Sequence, residues 1–175
     1  LDKAALIVGF GAEFMDRPGD GLERDFAARR SPDGPGTGLA ADAEAGSRGE
    51  GGMSRFVQFE GRLTLTGANA DRRIRVRDSQ LLGVAAAIAH ELIVVRKIGP
   101  LAADAAVGPA LGSLAASPGV DAPVLQAIVA ELAAAQGKAL LLAGGSAAAS
   151  AQGPALELVT LLLNITLGAF DGGLF

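Results

Sequence analysis

The sequence predicts an α/β protein of Rossmann-like, three-layer α/β/α architecture with a mainly parallel sheet. Three observations support this prediction. Two short, continuous apolar runs, 4–10 and 139–143, each lead into glycine, as is typical of buried parallel strands. Stretches with helical spacing of apolar residues lie between the predicted strands, and such alternation favours βαβ units. Segments rich in glycine and proline mark the connections.

The first part of the chain predicts a strand, a helix and a long loop. The run 4–10 predicts the strand, and 20–30 predicts a helix on which Leu22 and Phe26 share a face. Residues 31–52 contain seven glycines and two prolines. Such a composition cannot form a core, so we expect a flexible loop or insertion there.

Two more strands and a helix are predicted before residue 97. Residues 55–59 predict the first of these strands. In 73–77, isoleucine and valine alternate with three arginines, which places the apolar pair on one face of a strand and the arginines on the other. A helix is predicted to begin at Asp78 or Ser79, either of which can cap it, and to run to about Val94.

The second half predicts a connector, a helix, a strand and a last helix. Residues 99–119 are rich in alanine, glycine and proline and indicate at most short turns of helix. Helix 121–136, strand 138–143 and helix 153–167 follow. Because Leu158 and other leucines make the last helix apolar over most of its circumference, we expect it to be buried in a parent protein and to leave an apolar patch on this chain.

We divide the sequence into a first α/β unit, 1–97, a connector, 98–120, and the start of a second Rossmann-like unit, 121–175. The chain begins without methionine and ends directly after an apolar helical pattern, so we expect it to be an incomplete, internal fragment of a larger protein. Only six charged residues follow position 97. An independent surface normally carries more charge, so we expect protein outside this chain to cover much of the second half; an alanine-rich composition is a compatible explanation.

Composition excludes several classes of site. The chain has no cysteine, which excludes disulfides, thiolate zinc sites and cysteine-ligated iron–sulfur clusters within it. With a single histidine, we expect no metal site. The net charge of −4 argues against a nucleic-acid partner. No continuous apolar stretch free of charge is long enough to span a bilayer, so we expect no direct membrane span.

Two glycine-containing turns are candidates for binding phosphate. Gly11 lies where a dinucleotide fingerprint would begin its turn, but Phe14 stands at the third glycine position of that pattern. Gly144 and Gly145 follow a predicted strand and could offer backbone N–H groups to an anion, although no lysine or arginine follows nearby. An ordinary turn after a buried strand is the more frequent explanation of both sequences.

The charged and titratable candidates carry weaker signals. The ladder of Arg73, Arg75 and Arg77 could hold an anion or a partner's carboxylates, or form a solvated or internally paired strand face. His90 precedes Glu91, but neighbours in sequence point to different sides of a helix, so a surface or packing role is expected. No nucleophile motif is present, and we therefore expect no catalytic residue in this chain.

A family resemblance adds to this interpretation. Residues 60–77, EGRLTLTGANADRRIRVR, resemble the molybdopterin oxidoreductase segment E-P-x-x-T-x-T-G-x-x-A-D-x-x-I-x-I-R, and the portion TGANAD is the most specific part. Residues 6–14, LIVGFGAEF, resemble the strand and G-A-D-F that precede that segment, and 26–30 fits the helix between them. Residues 141–145 and 163–168 resemble a later V-A-G … L-N-x-x-L-G unit.

The likeness covers most of the chain outside 31–52 and 99–119. Within the superfamily, the sequence is most similar to the Tat-exported, molybdopterin-like and iron–sulfur B subunit of alternative complex III, a group understood to have lost the molybdopterin. Active relatives follow the strand with Arg-Pro-Gly-Thr-Asp, whose aspartate helps to bind the guanine of the cofactor. Here Leu81 stands at the aspartate position after Arg77 and cannot accept those hydrogen bonds, although Asp78 could compensate if the loop shifted.

The resemblance implies a cofactor-free scaffold segment of a quinol-oxidising respiratory subunit. It implies a periplasmic location, association with the membrane through the complex, and partners among the other domains and subunits. Iron–sulfur clusters would lie elsewhere in the parent protein. The alternative is a substrate- and cofactor-domain segment of an active molybdopterin-dependent oxidoreductase, and an independent nucleotide-binding module is disfavoured by Phe14. No residue is expected to bind a cofactor, and the vestigial candidates are Gly11, Asp71, Arg77, Gly144 and Gly145.

Overall fold

The computed structural model describes residues 1–16, 21–30, 53–115 and 119–174. The predicted loop 31–52 lies outside these residues. In chain order, the elements are β1 (Leu6–Phe10), α1 (Leu22–Arg30), β2 (Arg55–Glu60), α2 (Leu65–Ala68), β3 (Arg72–Arg75), α3 (Asp78–Ala89), a π-helical segment (His90–Val95), a 3₁₀ turn (Pro100–Ala103), α4 (Val107–Leu114), α5 (Ala122–Ala134), β4 (Ala139–Ala143), α6 (Gly145–Ala148) and α7 (Gly153–Thr166).

Four strands form one parallel sheet with the order β3-β2-β1-β4, which confirms the predicted α/β class. Val8, in the middle of β1, pairs with Val57 of β2 and with Leu141 of β4. Every residue of β1 is buried, which explains why its sequence is continuously apolar. Because β4 pairs with β1, the sheet is continuous across 98–120, and the division of the chain into two units stays a prediction.

Helices lie on both faces of the sheet. On one face, Phe10 and Phe59 stack with ring centroids 5.6 Å apart in a large core to which α3, α4, α5 and α7 contribute. On the other face, Phe14, Phe26 and Phe56 form a smaller core, with centroids 5.4 to 5.7 Å apart. Phe26 belongs to α1, so that helix closes the second face of the three-layer arrangement.

The helix predicted up to about Val94 continues through α3 into the π-helical segment. By length and composition, this helix, Asp78–Val95, could cross a membrane: its 18 residues have a hydropathy of 1.4, and 50% of them are buried. A core helix of a globular protein meets the same criteria, and Leu81 and Ile88 lie fully buried in the larger core. The expectation of no membrane span therefore stays a prediction.

The connector is more ordered than its composition indicated. Residues 99–119 were expected to form at most short turns, but they contain the 3₁₀ turn and the eight-residue helix α4. Leu111 of α4 is 3% exposed and belongs to the larger core beside α3. Burial of this side chain supports a helix that Gly108, Pro109 and Gly112 would disfavour on their own.

The outer side of α7 carries an apolar strip, as expected. Leu158, Leu161 and Ile165 are 66%, 45% and 40% exposed, whereas Leu156 and Leu163 on the inner side are buried. The spacing of three and four residues places the exposed side chains in one row along the helix. The described part of the chain therefore leaves one long side of its last helix in contact with solvent.

Candidate functional site

The site with the best geometry for a ligand lies at the carboxyl ends of β1 and β4. Ligands of open parallel sheets bind where the chain connections diverge to opposite sides, and here β2 and β4 flank β1. The structure brings Gly11, Gly144 and Gly145 together at this point. Gly11 and Gly145 have φ angles of 65° and 60°, and a Cβ atom on Gly145 would lie 2.5 Å from the carbonyl oxygen of Gly11. The two turns are therefore in direct backbone contact, for which glycine is required.

The groove between these turns is small. Its volume is about 180 Å³, and it is lined by Ala12, Glu13, Phe14, Leu22, Leu142, Ala143, Gly144 and Gly145. Sites for drug-sized ligands and cofactors usually measure about 300–1,000 Å³. Glu13 is 8% exposed, and its carboxylate accepts a hydrogen bond of 2.8 Å from the Arg62 guanidinium. The acid that lines the groove is thus already paired.

Leu81, for which the resemblance implies the loss of a guanine-binding aspartate, lies in the core. Leu81 is 0% exposed, and its Cδ1 atom would lie 3.2 Å from a Cβ atom on Gly11, so the leucine side chain supports the turn from beneath. Asp78, the possible substitute, accepts a hydrogen bond of 2.8 Å from the Ser146 hydroxyl. This bond joins the start of α3 to α6. Neither partner of the bond could be identified from sequence, because 68 positions separate the two residues.

Several residues of the resembling segment 60–77 form an internal hydrogen-bond network. Glu60 is 2% exposed; its carboxylate accepts a hydrogen bond of 2.6 Å from the Thr64 hydroxyl and forms an ion pair with Arg73. The Thr64 hydroxyl in turn accepts a hydrogen bond of 2.9 Å from the Gly67 N–H at the start of α2. A Cβ atom on Gly67 would lie 2.0 Å from a carboxylate oxygen of Glu60. This spacing of residues therefore serves the connection between β2 and β3.

Asp16 holds the loop after β1 against α2. Its carboxylate accepts hydrogen bonds from the Leu65 and Thr66 N–H groups, at 2.9 and 3.1 Å, and from the Thr66 hydroxyl at 2.9 Å. Desolvation alone would raise the pKa of Asp16, but these three hydrogen bonds outweigh it and lower the pKa below its ordinary value. The carboxylate is therefore held in its ionised form and is a poor general acid or base near neutral pH.

Asp71, a vestigial cofactor candidate, lies at the opposite end of the sheet because it precedes β3. Its two oxygens accept hydrogen bonds of 2.8 and 2.7 Å from the Arg30 guanidinium, and one also accepts the Phe56 N–H at 2.7 Å. The Arg30 hydrogen bond is the main cause that lowers the pKa of Asp71. The structure thus separates Asp71 from Gly11, Gly144 and Gly145 and gives it a structural role.

The arginine ladder divides into one paired and two unpaired residues. Arg73 forms the ion pair with Glu60, whereas Arg75 and Arg77 are exposed and have no ion-pair partner among the described residues. A cavity of about 480 Å³ lies beside them, lined by Gly61, Arg75, Val76, Arg77 and Gln80. His90 lies at the far end of α3 from Arg77, half-buried at the first position of the π-helical segment. The histidine and the two arginines therefore do not form one site.

Within the parts of the chain that the structure describes, no group of three or more His, Cys, Asp or Glu residues is placed to hold a metal ion. No protein-family model matches the sequence, and no curated protein matches it either. The arrangement of the described residues therefore supplies the arguments that follow.

Proposed function

We propose that this chain is a cofactor-free scaffold segment of a quinol-oxidising, electron-transfer subunit in a respiratory complex. The observation that carries the proposal is the pairing of the carboxylates around the carboxyl edge of the sheet. Glu13, Asp16, Glu60 and Asp78 each accept hydrogen bonds from residues of this chain. Acid–base catalysis and metal binding both need a carboxylate that is free to face a ligand. Paired carboxylates instead fix one loop against the next.

The residues present do not fit a pterin at the position that the resemblance implies. Leu81 has no group that can bind a guanine edge, and its side chain is enclosed by the larger core. The groove of about 180 Å³ between the glycine turns is too small for a dinucleotide-sized group. Both features favour the loss of the cofactor, and we derive no reaction step through it.

One observation favours the alternative, a cofactor-domain segment of an active molybdopterin-dependent oxidoreductase. The cavity of about 480 Å³ beside Arg75 and Arg77 is large enough for part of a phosphorylated ligand, and arginines bind phosphate well. This cavity lies at the end of β3, next to the start of α3. The alternative requires that the guanine be bound without the aspartate that Leu81 replaces.

Cofactor analysis of the intact parent subunit distinguishes the two functions. The parent complex would be purified, and its molybdenum and extractable pterin would be measured per subunit, with an active molybdopterin oxidoreductase prepared in the same way as the positive control. We expect neither component at stoichiometric level. Stoichiometric molybdenum or pterin in the purified subunit would contradict the scaffold function and support the alternative.

The scaffold function also concerns location and partners. We propose that the parent lies in the periplasm, is associated with the membrane through its complex, and carries iron–sulfur clusters in domains beside this segment. The exposed row of Leu158, Leu161 and Ile165 supports contacts of this kind, because a row of exposed apolar side chains is typical of a surface covered in an assembly.

A further inference from the structure

The outward backbone N–H and C=O groups differ between the two edges of the sheet in whether they have hydrogen-bond partners. At the β4 edge, the Leu141 N–H donates to the side-chain oxygen of Asn164 at 2.9 Å, and the Asn164 amide nitrogen donates to the Leu141 carbonyl at 2.9 Å. The side-chain amide of α7 thus takes the place that a neighbouring strand's peptide group would occupy. A further strand cannot pair at Leu141 without displacing this amide.

The β3 edge has no such cover in the described part of the chain. The Val76 N–H donates to the Glu60 carbonyl, and in a parallel ladder the backbone groups of alternate residues face the same neighbour. Arg72 and Ile74 therefore face β2, and Arg73 and Arg75 direct their N–H and C=O groups away from the sheet. No described residue hydrogen-bonds these four groups. Unpaired backbone groups of this kind are a template for an added strand.

The charge at this edge selects the chemistry of a partner. Arg75 and Arg77 are exposed and have no ion-pair partner among the described residues; Glu60 already bonds Arg73 and Thr64, and Asp78 accepts a hydrogen bond from Ser146. The same positive charge opposes pairing with a second copy of β3, because the arginines of the two copies would be adjacent. An acidic strand would instead bring carboxylates to both free guanidinium groups.

The cavity beside the edge provides room for such a side chain. Its volume of about 480 Å³ opens between Arg75, Arg77 and Gln80, at the end of the strand whose backbone is free. A carboxylate that entered it would meet both arginines. Open backbone groups, unpaired cations and adjacent space thus occur together at one edge of the sheet.

We propose that the β3 edge binds an extended, acidic segment of a partner polypeptide by strand addition, with Arg75 and Arg77 pairing with its carboxylates. The inference rests on the proposed scaffold function, since it names the chemistry of the partner through which the scaffold would act. Backbone hydrogen bonds at Arg73 and Arg75 set the position of the added strand, and the guanidinium groups select its charge.

The test uses the full 175-residue chain and a fluorescent peptide of alternating glutamate and valine as the probe. Binding is followed by fluorescence anisotropy. We expect the double variant Arg75→Glu, Arg77→Glu to weaken binding at least about tenfold, because charge attraction becomes repulsion. The matched control, Arg96→Glu with Lys97→Glu, changes the net charge equally at two exposed positions and should leave the affinity within about twofold.

Backbone pairing is tested separately from charge. A peptide of the same sequence with alternate amides N-methylated should bind about tenfold more weakly, and the unmodified peptide should slow hydrogen exchange at the Arg73 and Arg75 amides. Two results would show that the arginines form a simple anion site and that the proposal is wrong. One is that N-methylation has no effect on binding. The other is that inorganic phosphate or a short RNA displaces the peptide completely at equal charge concentration. A concentration-dependent dimer that the peptide dissociates would also overturn it, in favour of a second copy.

The outcome is independent of the test of the proposed function. Failure of the peptide to bind would remove the strand-addition proposal and leave the pterin-free scaffold intact. Pterin in the purified parent subunit would remove the scaffold function, whatever the peptide does.

Discussion

The two edge strands of the sheet, β4 and β3, differ in what hydrogen-bonds their outward backbone groups. At β4, a neutral and 3% exposed side chain, Asn164, bonds both outward groups of Leu141. At β3, charged side chains flank backbone groups that no described residue hydrogen-bonds. A buried polar group requires a partner, whereas an exposed one can bond water. The outward groups of Leu141 in β4 therefore depend on one residue, whereas those of Arg73 and Arg75 in β3 depend on none within the described part of the chain.

The difference indicates which edge serves the fold and which is available for contacts. Asn164 also donates to the Thr160 carbonyl, one turn earlier in α7, at 3.1 Å, so the amide is fixed by its own helix while it bonds the strand. Glu60 and Asp71 also accept hydrogen bonds near β3, from Thr64 and Phe56, but neither residue bonds the outward backbone groups of that strand. A substitution should thus be more damaging at Asn164 than at the charged groups.

The largest effect is expected for Asn164→Leu, which keeps the approximate size of the side chain and removes its amide. The Leu141 N–H and C=O would then be buried without partners. We expect the free energy of unfolding to fall by about 2–4 kcal/mol, because each unsatisfied buried group costs about 1–3 kcal/mol. Urea unfolding followed by circular dichroism measures the change.

The matched control is the same substitution at Asn69, whose amide bonds the Leu65 carbonyl at an exposed position. Its effect should stay within about 0.5 kcal/mol, which is usual for surface sites. Equal midpoints for Asn164→Leu and the wild type would show that the amide does not hold the β4 edge, and the contrast between the edges would disappear.

A smaller effect is expected for Gly67→Ala near β3. The added Cβ atom would overlap the Glu60 carboxylate and push it away from Thr64 and Arg73. Overpacking of this kind destabilises a protein by about 1–3 kcal/mol. Thermal unfolding would show the loss as a lower melting temperature.

Gly112→Ala in α4 is the matched control, because a Cβ atom there meets nothing within 4 Å. Alanine favours a helix over glycine by up to about 1 kcal/mol, so this variant should melt at the same or a slightly higher temperature. If Gly67→Ala behaved like the control, the Glu60 network would not be rigid enough to explain why glycine stands at position 67.

These comparisons also show what sequence could predict. The apolar runs of β1 and β4 predicted buried parallel strands, because such burial requires apolar residues on both faces. Gly11, Gly144 and Gly145 were correctly expected at the ends of strands. The bonds Asn164–Leu141 and Asp78–Ser146 were not predicted, since each joins residues whose separation in sequence carries no periodic signal.

The features that the sequence did not predict depend on tertiary contacts or on backbone geometry. The helix α4 was missed because glycine and proline lower local helix propensity, whereas the burial of Leu111 against α3 compensates for it. The π-helical segment changes the backbone bonding of a helix without changing the apolar character of its sequence. Sequence alone also did not place Asp71 relative to the glycine turns: it stands before its strand, and the glycines stand after theirs. Tertiary packing decided each of these cases.

The smallest effect is expected from acid titration of Asp71, at the start of the β3 edge. The Arg30 hydrogen bond and the Phe56 N–H lower the pKa of this carboxyl in the folded protein. A carboxyl with a lowered folded pKa contributes stability above its unfolded pKa, near 3.9, and loses that contribution as the pH falls through the folded pKa. Asp16 has a lowered pKa as well and acts in the same direction.

Asp71→Asn should therefore lower the free energy of unfolding by about 1 kcal/mol at neutral pH, since one charge-assisted contact is partly exposed, and should have almost no effect at about pH 2. Urea midpoints measured from about pH 7 to pH 2 would show a shallower acid dependence for Asp71→Asn than for the wild type. Asp171→Asn removes an equal charge at an exposed position and controls for net charge. An acid dependence of Asp71→Asn that parallels the wild type would mean that the pair with Arg30 does not persist in solution. The start of β3 would then be held by its backbone bonds to β2, including the Asp71 N–H to Phe56 carbonyl bond, and of the charged pairs discussed here only Glu60 with Arg73 would stabilise this edge.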